Sequence, residues 1–312
     1  MQVTVRSRAA GVVVLLFTAG AALPGVSGAT SHRPGSDHAR STDPVIVVAA
    51  GDIADCAPPN CPPARTAGRV RAIAPARVLT LGDNQYQRGT LAEFNAEYDK
   101  TWGRFARRTR PSPGNHEYLT KGADGYFDYF GKRAHRKHGG YYSQRAGGWQ
   151  VVTLNSSDGD CTQVRCGPKS AQVRWLRRTL ADSSRTCTLA YWHHPPWSSG
   201  MHGGNRAVRV IWRVLARNGA DVVLNGHDHN YERFAPRGAD GSADARGIRQ
   251  FVVGTGGGGL RAVSKPYTRL SRKRIDHRYG VLRLALRPSS YGFRFVTAAG
   301  KVLDGGGPFG CH

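Results

Sequence analysis

The stretch that decides the fold is residues 225–233, with the sequence NGHDHNYER. It follows residues 220–224 (ADVVL), a short run rich in β-branched residues that predicts a buried strand ending near Gly226. His227 and His229 are two positions apart, and side chains with that spacing point the same way in an extended chain. Imidazole is a common metal ligand. The pair therefore indicates a metal site or, equally well on its own, two surface histidines.

Four further turns that carry Asp, Asn or His are spread along the chain, and three of them directly follow a strand-like run. The carboxyl ends of strands are where α/β sheets bind ligands. This set of residues mixes oxygen and nitrogen donors and is too large for one tetrahedral zinc. It favours two cations about 3.5–4 Å apart that share a carboxylate and a bridging hydroxide. The residues predicted to bind metal are Asp52, Asp83, Tyr86, Asn115, His194, His227 and His229.

Strands alternate with helices through most of the chain, which predicts an α/β fold with mixed sheets and an antiparallel pair late in the sequence. The predicted strands are 44–50, 76–81, 141–145, 149–154, 186–192, 220–224, 248–253, 280–286 and 291–297. The predicted helices are 62–74, 90–105, 168–181 and 206–217. We expect a loop region over 122–140 and no strand before the turn at Asn115.

Residues 1–29 have the pattern of a secretory signal peptide, with a basic start, an apolar middle over 9–22 and small residues at 26–29. The apolar middle is too short to span a bilayer comfortably, and no later segment is longer. Residues 30–43 predict a disordered leader, and residues 44–312 a single domain. We therefore expect an exported protein, extracellular or associated with the cell wall. Retention in the membrane by an uncleaved signal is the alternative.

The chain has six cysteines, and export makes disulfides their expected use. Neither pair with four intervening residues has the spacing of a zinc site. Six cysteines allow 15 pairings. The pairing we expect is Cys56–Cys61, Cys161–Cys166 and Cys187–Cys311.

The formal net charge of the chain is +24, from 45 Lys and Arg against 21 Asp and Glu. Such a charge attracts anions. The basic residues are spread along the whole chain, and no nucleic-acid-binding module or basic-aromatic stripe is present. The charge therefore favours a phosphorylated small-molecule or polymer substrate, and it leaves the oligomeric state open.

In chain order, the five turns form five sequence blocks that together span residues 51–229. The set resembles the signature of the calcineurin-like metallophosphoesterases. Ala54 stands where many members have a histidine ligand, and Tyr86 follows Asp83 by three residues. Both features are similar to the purple acid phosphatase branch. The blocks are Gly51-Asp52, Gly82-Asp83-x-x-Tyr86, Gly114-Asn115-His116-Glu117, His194-x-Pro196 and Gly226-His227-x-His229.

The resemblance implies a four-layer αββα sandwich, two sheets faced by helices, without the N-terminal β domain of the plant-type enzymes. It also implies Fe(III) at one site, favoured by the Tyr86 phenolate, and Fe, Zn or Mn at a second site. His116 would bind a phosphate oxygen or protonate the leaving group. His202, at a spacing slightly different from the expected one, would be a second substrate histidine. The implied ligands are Asp52, Asp83, Tyr86 and His229 for the first cation, and Asp83, Asn115, His194 and His227 for the second.

The resulting hypothesis is a secreted acid-phosphatase-type enzyme that hydrolyses phosphate monoesters by direct attack of a metal-bound hydroxide on phosphorus. The first alternative is a phosphodiesterase that acts on nucleotides or phospholipid head groups with the same metal site. The second is a non-catalytic anion-binding protein, which a missing ligand would favour, and the sequence lacks none of them.

Other residues have structural interpretations. His193 is expected to pack beside His194 or to support a metal ligand without binding the cation, and Glu232 to form an ion pair with Arg233. Residues 254–259 match a dinucleotide fingerprint formally, but Pro266 interrupts any helix after them, so we expect flexible backbone beside the metal cleft. Asn155 begins a glycosylation sequon whose use the sequence leaves open.

Overall fold

The structure is a computed structural model that describes residues 13–16, 43–57, 61–264 and 266–312. The predicted leader and almost all of the predicted signal peptide lie outside these residues. From Asp43 onward, the described residues form one compact unit. Within the described part of the chain, no helix has both the length and the apolar character needed to cross a bilayer.

The described residues contain two mixed sheets. Their strands, in chain order, are β1 (Val45–Ala50), β2 (Arg77–Leu81), β3 (Thr109–Ser112), β4 (Tyr142–Ala146), β5 (Trp149–Thr153), β6 (Cys187–Tyr191), β7 (Val222–Asn225), β8 (Tyr231–Phe234), β9 (Arg249–Val253), β10 (Ser271–Ile275), β11 (Gly280–Arg287), β12 (Ser290–Thr297) and β13 (Val302–Gly310). The first sheet has the order β13-β12-β11-β1-β2-β3, and the second has the order β10-β8-β9-β7-β6-β5-β4. Strands β1, β2 and β3 are mutually parallel, and so are β5, β6, β7 and β9.

Two apolar cores explain why the sequences of the central strands are apolar at successive positions. Along β7, Val222 and Leu224 lie in the core shared by the two sheets, whereas Val223 lies in a second core on the outer face of the second sheet. Side chains of a strand alternate between faces, so a strand covered on both sides is apolar throughout. The α-helices of the described residues are α1 (Pro62–Ile73), α2 (Leu91–Glu93), α3 (Asp124–Phe130), α4 (Ala171–Ala181) and α5 (Arg209–Arg217).

Helices cover both outer faces of this double sheet. Leu176 of α4 and Ile211 of α5 fill the second core, and α1 packs on β11 and β12 of the first sheet. The helix α1 begins with two prolines, and the Ser170 side chain caps α4 by accepting a hydrogen bond from the Val173 N–H. The predicted mixed α/β fold with two sheets faced by helices is confirmed.

The predicted helix over 90–105 is broken. After α2, which Thr90 and Glu93 cap reciprocally, the chain widens into a π-helical turn over Phe94–Tyr98 and then a 3₁₀ turn over Trp102–Phe105. Phe94, Tyr98 and Trp102 are four residues apart, and all three are fully buried. Residues four apart already share one face of a regular α-helix, so this apolar spacing does not distinguish a continuous helix from the wider turn.

Several elements were missed because their apolar pattern is weak. The strand β3, sequence TRPS, contains Pro111 and lies at the edge of the first sheet, where a proline is tolerated. The strand β13 is rich in glycine and also lies at an edge. The predicted loop over 122–140 contains α3, whose Tyr126 and Phe130 are buried. The strands β8 and β10 were also not predicted.

Two of the three expected disulfides are present. Cys161 is bonded to Cys166, and Cys187 is bonded to Cys311. The expected third pair was wrong, because Cys56 and Cys61 are free thiols. The Cys61 thiol instead donates to the main-chain oxygen of Cys56, at 3.2 Å.

Candidate metal centre

Each predicted metal ligand lies at or just beyond the carboxyl end of a strand. Asp52 and Asp83 follow β1 and β2, and Asn115 follows β3, so these turns share one edge of the first sheet. His194 follows β6, while His227 and His229 follow β7 in the second sheet. The two sheets thus bring their loop ends together around one cleft, as expected for α/β folds.

The backbone of these turns is unusual in the same way at three positions. Asp52, Asp83 and His227 have φ angles of 58°, 45° and 73°, in the left-handed region that residues other than glycine rarely adopt. Close approach explains the neighbouring glycines: a Cβ at Gly114 would lie 2.2 Å from Asp83 Oδ1, and one at Gly226 would lie 2.6 Å from Asp52 Oδ2. Strain of this kind typically marks functional sites.

Four donor groups converge at one end of the cleft, which we call the tyrosine pole (Asp52, Asp83, Tyr86 and His229). The Tyr86 hydroxyl lies 3.1 Å from Asp52 Oδ1, 3.2 Å from Asp83 Oδ2 and 3.0 Å from His229 Nε2. All four side chains are buried. The other ring nitrogen of His229 lies 2.6 Å from the Gly259 carbonyl oxygen, an arrangement that fixes the orientation of metal-binding histidines.

Imidazoles dominate the other end of the cleft, which we call the histidine pole (Asn115, His193, His194 and His227). One ring nitrogen from each of the three histidines lies within 4.8 Å of the others. The centroids of the His194 and His227 rings are 4.3 Å apart. Asn115 Oδ1 lies 3.1 Å from His193 Nε2, which in turn lies 3.2 Å from Asp83 Oδ2. Asp83 therefore faces both poles.

His193 is the residue that the sequence interpretation set aside. Its Nε2 lies between Asp83 and Asn115, and its Nδ1 is 2.8 Å from the Leu81 carbonyl oxygen. His194 is oriented differently, with Nδ1 2.8 Å from the Ser156 hydroxyl. The sequence could not separate the two histidines, because both precede a proline by two positions, Pro195 for His193 and Pro196 for His194.

Burial shifts the pKa of the groups in the cleft. It raises the pKa of Asp52 to about 8 and that of Tyr86 well above its usual value. It lowers the pKa of His194 to about 3 and that of His229 to about 4. For His193, burial acts downward, but the carboxylates of Asp83 and Asp52 outweigh it and raise the pKa to about 9. Burial thus disfavours the charged forms of Asp52, Tyr86, His194 and His229.

Glu117 holds two of the turns together. Its buried carboxylate accepts hydrogen bonds from the main-chain N–H groups of Asp83, Asn84, Gln85 and Gly114, at 2.6–3.1 Å. Burial and the field of Asp83 raise its pKa to about 7. The sequence placed Glu117 in a motif block but gave no signal that it supports both the Asp83 and the Asn115 turns.

A family model described as calcineurin-like phosphoesterase matches residues 36–231, more than half of the chain. The chain belongs to this family. It is 31% identical over 222 residues to purple acid phosphatase 15 of Arabidopsis thaliana, covering 59% of this chain and 40% of that protein. It is 27% identical over 139 residues to tartrate-resistant acid phosphatase type 5 of Oryctolagus cuniculus, covering 42% and 40%. These relatives confirm the purple acid phosphatase-like branch, although the chain spans less than half of their length.

The fold is also shared with a solved member of that branch. The purple acid phosphatase from yellow lupin (Lupinus luteus) seeds superposes with a TM-score of 0.66 at 20% identity, over 83% of this chain and 52% of that chain. At this level of identity the likeness concerns the fold alone. It agrees with the two helix-faced sheets described above.

The donor chemistry of this calcineurin-like phosphoesterase fits a two-metal site. Carboxylate and phenol oxygens gather at the tyrosine pole, at the mutual distances of about 3 Å that ligands of one small cation adopt, since metal–ligand bonds of about 2.0–2.2 Å require it. The histidine pole supplies borderline nitrogen donors and one amide oxygen. The buried carboxyl, phenol and imidazole groups would exchange an unfavourable environment for a cation.

The two predicted substrate histidines border the cleft at different poles. The main-chain N–H of His116 donates to Asp83 Oδ1 at 2.9 Å, and the His116 ring lies 4.3 Å from the Tyr86 ring. The His202 ring lies 4.5 Å from the His227 ring, and its Nε2 contacts the Arg261 guanidinium. His202 is exposed and His116 is partly exposed, whereas Asp83 and Tyr86 beside His116 are buried.

Two structural interpretations made from the sequence require correction. Arg233 pairs with Asp304 through two contacts at 2.7 and 3.1 Å, and not with Glu232. Adjacent residues of a strand point to opposite faces, which prevents the expected pair. Residues 254–259 do border the cleft, but this backbone is held in place and not flexible, since the Gly258 N–H donates to the Asp52 carbonyl at 2.8 Å.

Asn155 is not accessible as a glycosylation acceptor in the folded chain. It is fully buried, and its Nδ2 donates to the Tyr118 hydroxyl at 2.7 Å and to the Gly139 carbonyl at 2.8 Å. The Asn155 side chain therefore has a structural role, because its hydrogen bonds connect the end of β5 to the segment before β4.

Proposed function

We propose that this chain is a two-metal phosphatase that hydrolyses phosphate monoesters, of acid-phosphatase type, and that it is exported after removal of residues 1–29. The observation that supports this most directly is the convergence on Tyr86, whose hydroxyl lies 3.0–3.2 Å from His229, Asp52 and Asp83. Two carboxylates buried beside one another are costly when both are charged, and a cation shared between them and the phenol would offset that cost.

The tyrosine pole would hold the first cation, Fe(III), because phenolate is a hard anionic ligand suited to it. The histidine pole would hold the second cation (Fe, Zn or Mn), with Asp83 shared between the two. His193 joins the predicted ligands Asn115, His194 and His227 as a candidate at this pole, because its Nε2 lies 3.1 Å from Asn115 Oδ1. When bound, the two cations would acidify a water and neutralise phosphate oxygens.

His116 would supply the proton for the leaving group, and neighbouring residues hold the Asp83 carboxylate in place. His116 has its Nδ1 2.5 Å from the Gln87 carbonyl oxygen, which leaves Nε2 as the atom that can carry a proton to the leaving oxygen. The main-chain N–H of His116 fixes one oxygen of the Asp83 carboxylate, and contacts with Tyr86 and His193 fix the other. The site is therefore built before substrate arrives.

The test is hydrolysis of an aryl phosphate monoester and of the matching diester by the metal-loaded mature protein, side by side. We expect faster monoester turnover. A preference for the diester would transfer the proposal to phosphodiesterase chemistry at the same site. Absence of turnover of both, with two cations measured per chain, would overturn the enzymatic proposal in favour of anion binding without catalysis.

Export needs its own test, because the predicted signal lies almost entirely outside the described residues. Expression of the full chain in a bacterial host with a general secretory pathway should give an extracytoplasmic protein that begins near residue 30, as read by N-terminal sequencing. A chain that keeps Met1 in the cytoplasm would contradict this part of the proposal.

A further inference from the structure

Arg261 lies on the wall of the cleft and is attached to the tyrosine pole through the backbone. Its main-chain N–H donates to the carbonyl oxygen of His229 at 3.1 Å. The glycine run before it, residues 254–259, lies against the pole, and a Cβ at Gly258 would approach the Tyr86 and His229 rings to 3.2–3.3 Å. The position of Arg261 is therefore set by the residues that would bind the first cation.

The side chain of Arg261 reaches towards the histidine pole. Its Nη1 contacts Nε2 of His202, and the His202 ring lies 4.5 Å from the His227 ring. A guanidinium can only donate, so Nε2 of His202 accepts this hydrogen bond. With Nε2 accepting, Nδ1–H remains as a donor. Arg261 and His202 thus present donors beside both poles.

The two segments that carry these side chains are joined through Ser199, which a buried carboxylate holds in place. Glu232, fully buried, accepts hydrogen bonds from the Ser199 N–H and hydroxyl, each at 2.7 Å. The Ser199 carbonyl in turn accepts from the Ser264 N–H at 2.9 Å. The His202 N–H donates to Asp228 Oδ1 at 2.9 Å. These bonds fix the loop that follows β6 against the segment that contains Arg261, so the donors are positioned in advance.

The positive charge of Arg261 is available to a ligand. None of the ion pairs formed among the described residues involves Arg261. The Asp228 carboxylate interacts electrostatically with Arg261, and its Oδ1 accepts a hydrogen bond from the main-chain N–H of His202. A guanidinium has five N–H donors in a planar fork that matches phosphate geometry. One contact with His202 leaves most of them unused.

We propose that Arg261, together with His202, forms a second anion-binding position next to the metal centre. This position would hold a second phosphoryl group attached to the one that is transferred, so that the site selects diphosphates over simple monoesters. The inference rests on the proposed function for the transferred phosphate, but the binding of the second phosphate is assigned to Arg261 and His202 and does not require turnover. Arg261 is here a specificity residue, with no part in the metal coordination.

The test is the affinity of the metal-loaded protein for imidodiphosphate, a diphosphate that resists hydrolysis, compared with inorganic phosphate by isothermal titration. We expect the unmodified protein to bind imidodiphosphate at least about 10-fold more tightly, since a charge-assisted hydrogen bond contributes roughly that factor or more. In Arg261→Gln this preference should fall to within about 2-fold, with phosphate affinity almost unchanged. Metal content measured after each titration shows that both cations remain bound.

The matched control is Arg272→Gln, which removes one positive charge from an exposed position on β10. It should leave both affinities unchanged. An equal loss of diphosphate preference in Arg272→Gln would attribute the effect to the overall positive field and overturn the proposal. Equal weakening of phosphate and imidodiphosphate in Arg261→Gln would overturn it too, because Arg261 would then hold the transferred phosphate.

Hydrolysis of pyrophosphate and of an aryl phosphate separates this proposal from the proposed function. If neither is hydrolysed while imidodiphosphate binding still depends on Arg261, the enzymatic function fails and the anion position stands. If both are hydrolysed and Arg261→Gln changes neither KM, the function stands and the anion position fails. The expected result is a KM for pyrophosphate raised about 10-fold or more, with the aryl phosphate KM changed by less than about 2-fold.

Discussion

The two poles of the metal centre differ in how tightly their donors are specified. At the tyrosine pole, the Tyr86 hydroxyl lies within 3.0–3.2 Å of donor atoms on three neighbours, and each donor comes from a separate position in the sequence. At the histidine pole, three imidazoles crowd together, and two of them are adjacent residues of the chain. The first pole has one obvious set of ligands, whereas the second offers one histidine more than the sequence interpretation assigned.

This difference decides what the sequence could predict. Asp52 and Asp83 each follow a glycine and a predicted strand, so their approach followed from strand order, whereas the place of Tyr86 beside them came from the resemblance to the purple acid phosphatase branch. His193 and His194 satisfy the same spacing to a proline, and only the rotation of each ring in the fold separates them. Which way a side chain turns at the end of a strand depends on tertiary neighbours such as the Leu81 carbonyl and the Ser156 hydroxyl.

The largest effect is expected where the poles meet. Asp83→Ala should abolish binding of both cations and reduce turnover by about 10³-fold or more, because the shared carboxylate would be lost from both coordination spheres. Metal content by elemental analysis and aryl phosphate hydrolysis are the measurements. The control is Asp160→Ala, an exposed position, which should keep both metals. Full activity in Asp83→Ala would contradict a shared ligand.

The histidine pole can be tested separately. His193→Gln and His194→Gln should each weaken binding of the second cation by about 10–100-fold, the usual cost of disturbing a ligand or its immediate support. The first cation should remain, so a visible absorption from the tyrosine pole should persist in both variants. A His193→Gln protein that keeps the second cation at full affinity would leave His193 only the packing role, which is one of the two roles that the sequence interpretation allowed.

The tyrosine pole has a spectroscopic marker. Tyr86→Phe should remove the visible phenolate-to-iron absorption of the Fe(III)-loaded protein while the histidine pole keeps its cation. Tyr118→Phe is the matched control, since the Tyr118 hydroxyl accepts a hydrogen bond from Asn155 and is not among the groups at the tyrosine pole. A fully metallated but colourless protein would favour Zn or Mn at both poles and would leave the hydrolase proposal intact.

The smallest expected effect lies away from both poles, at Asp221. Burial raises the pKa of Asp221 from 3.8 to about 6, against hydrogen bonds from the Thr188 and His312 N–H groups. The folded state therefore binds this proton more tightly than the unfolded chain, so the contribution to stability is largest below pH 3.8 and declines as pH rises through about 6. Urea unfolding at several pH values should show that Asp221→Asn removes this decline.

Asp240 provides a control of opposite sign for the Asp221 experiment. Hydrogen bonds from Ser242 lower the pKa of this exposed carboxyl, so its contribution to stability is lost as pH falls. Asp240→Asn should therefore leave the decline between pH 4 and 6 in place. An identical pH profile for Asp221→Asn and the unmodified protein would show that Asp221 is not the group responsible.

The fold itself was predictable where burial imposes a pattern and unpredictable where packing overrides it. The run 220–224 predicted β7 because both faces of that strand are covered. The strand β3 was missed because Pro111 and its polar neighbours carry no strand signal, and it exists through pairing with β2. The helix over 90–105 was predicted as continuous because periodicity does not reveal the wide turn that buries Phe94 and Tyr98 together.

The strand-end assembly of the centre has a consequence for how the chain acquires metal. Its candidate ligands lie on five turns drawn from both sheets, and these turns meet only after the sheets have packed face to face. A ligand that binds only the native state stabilises it in proportion to the logarithm of its concentration over Kd. Cation uptake would then act as a readout of completed folding: a misassembled chain would remain empty, and a loaded chain would be harder to unfold.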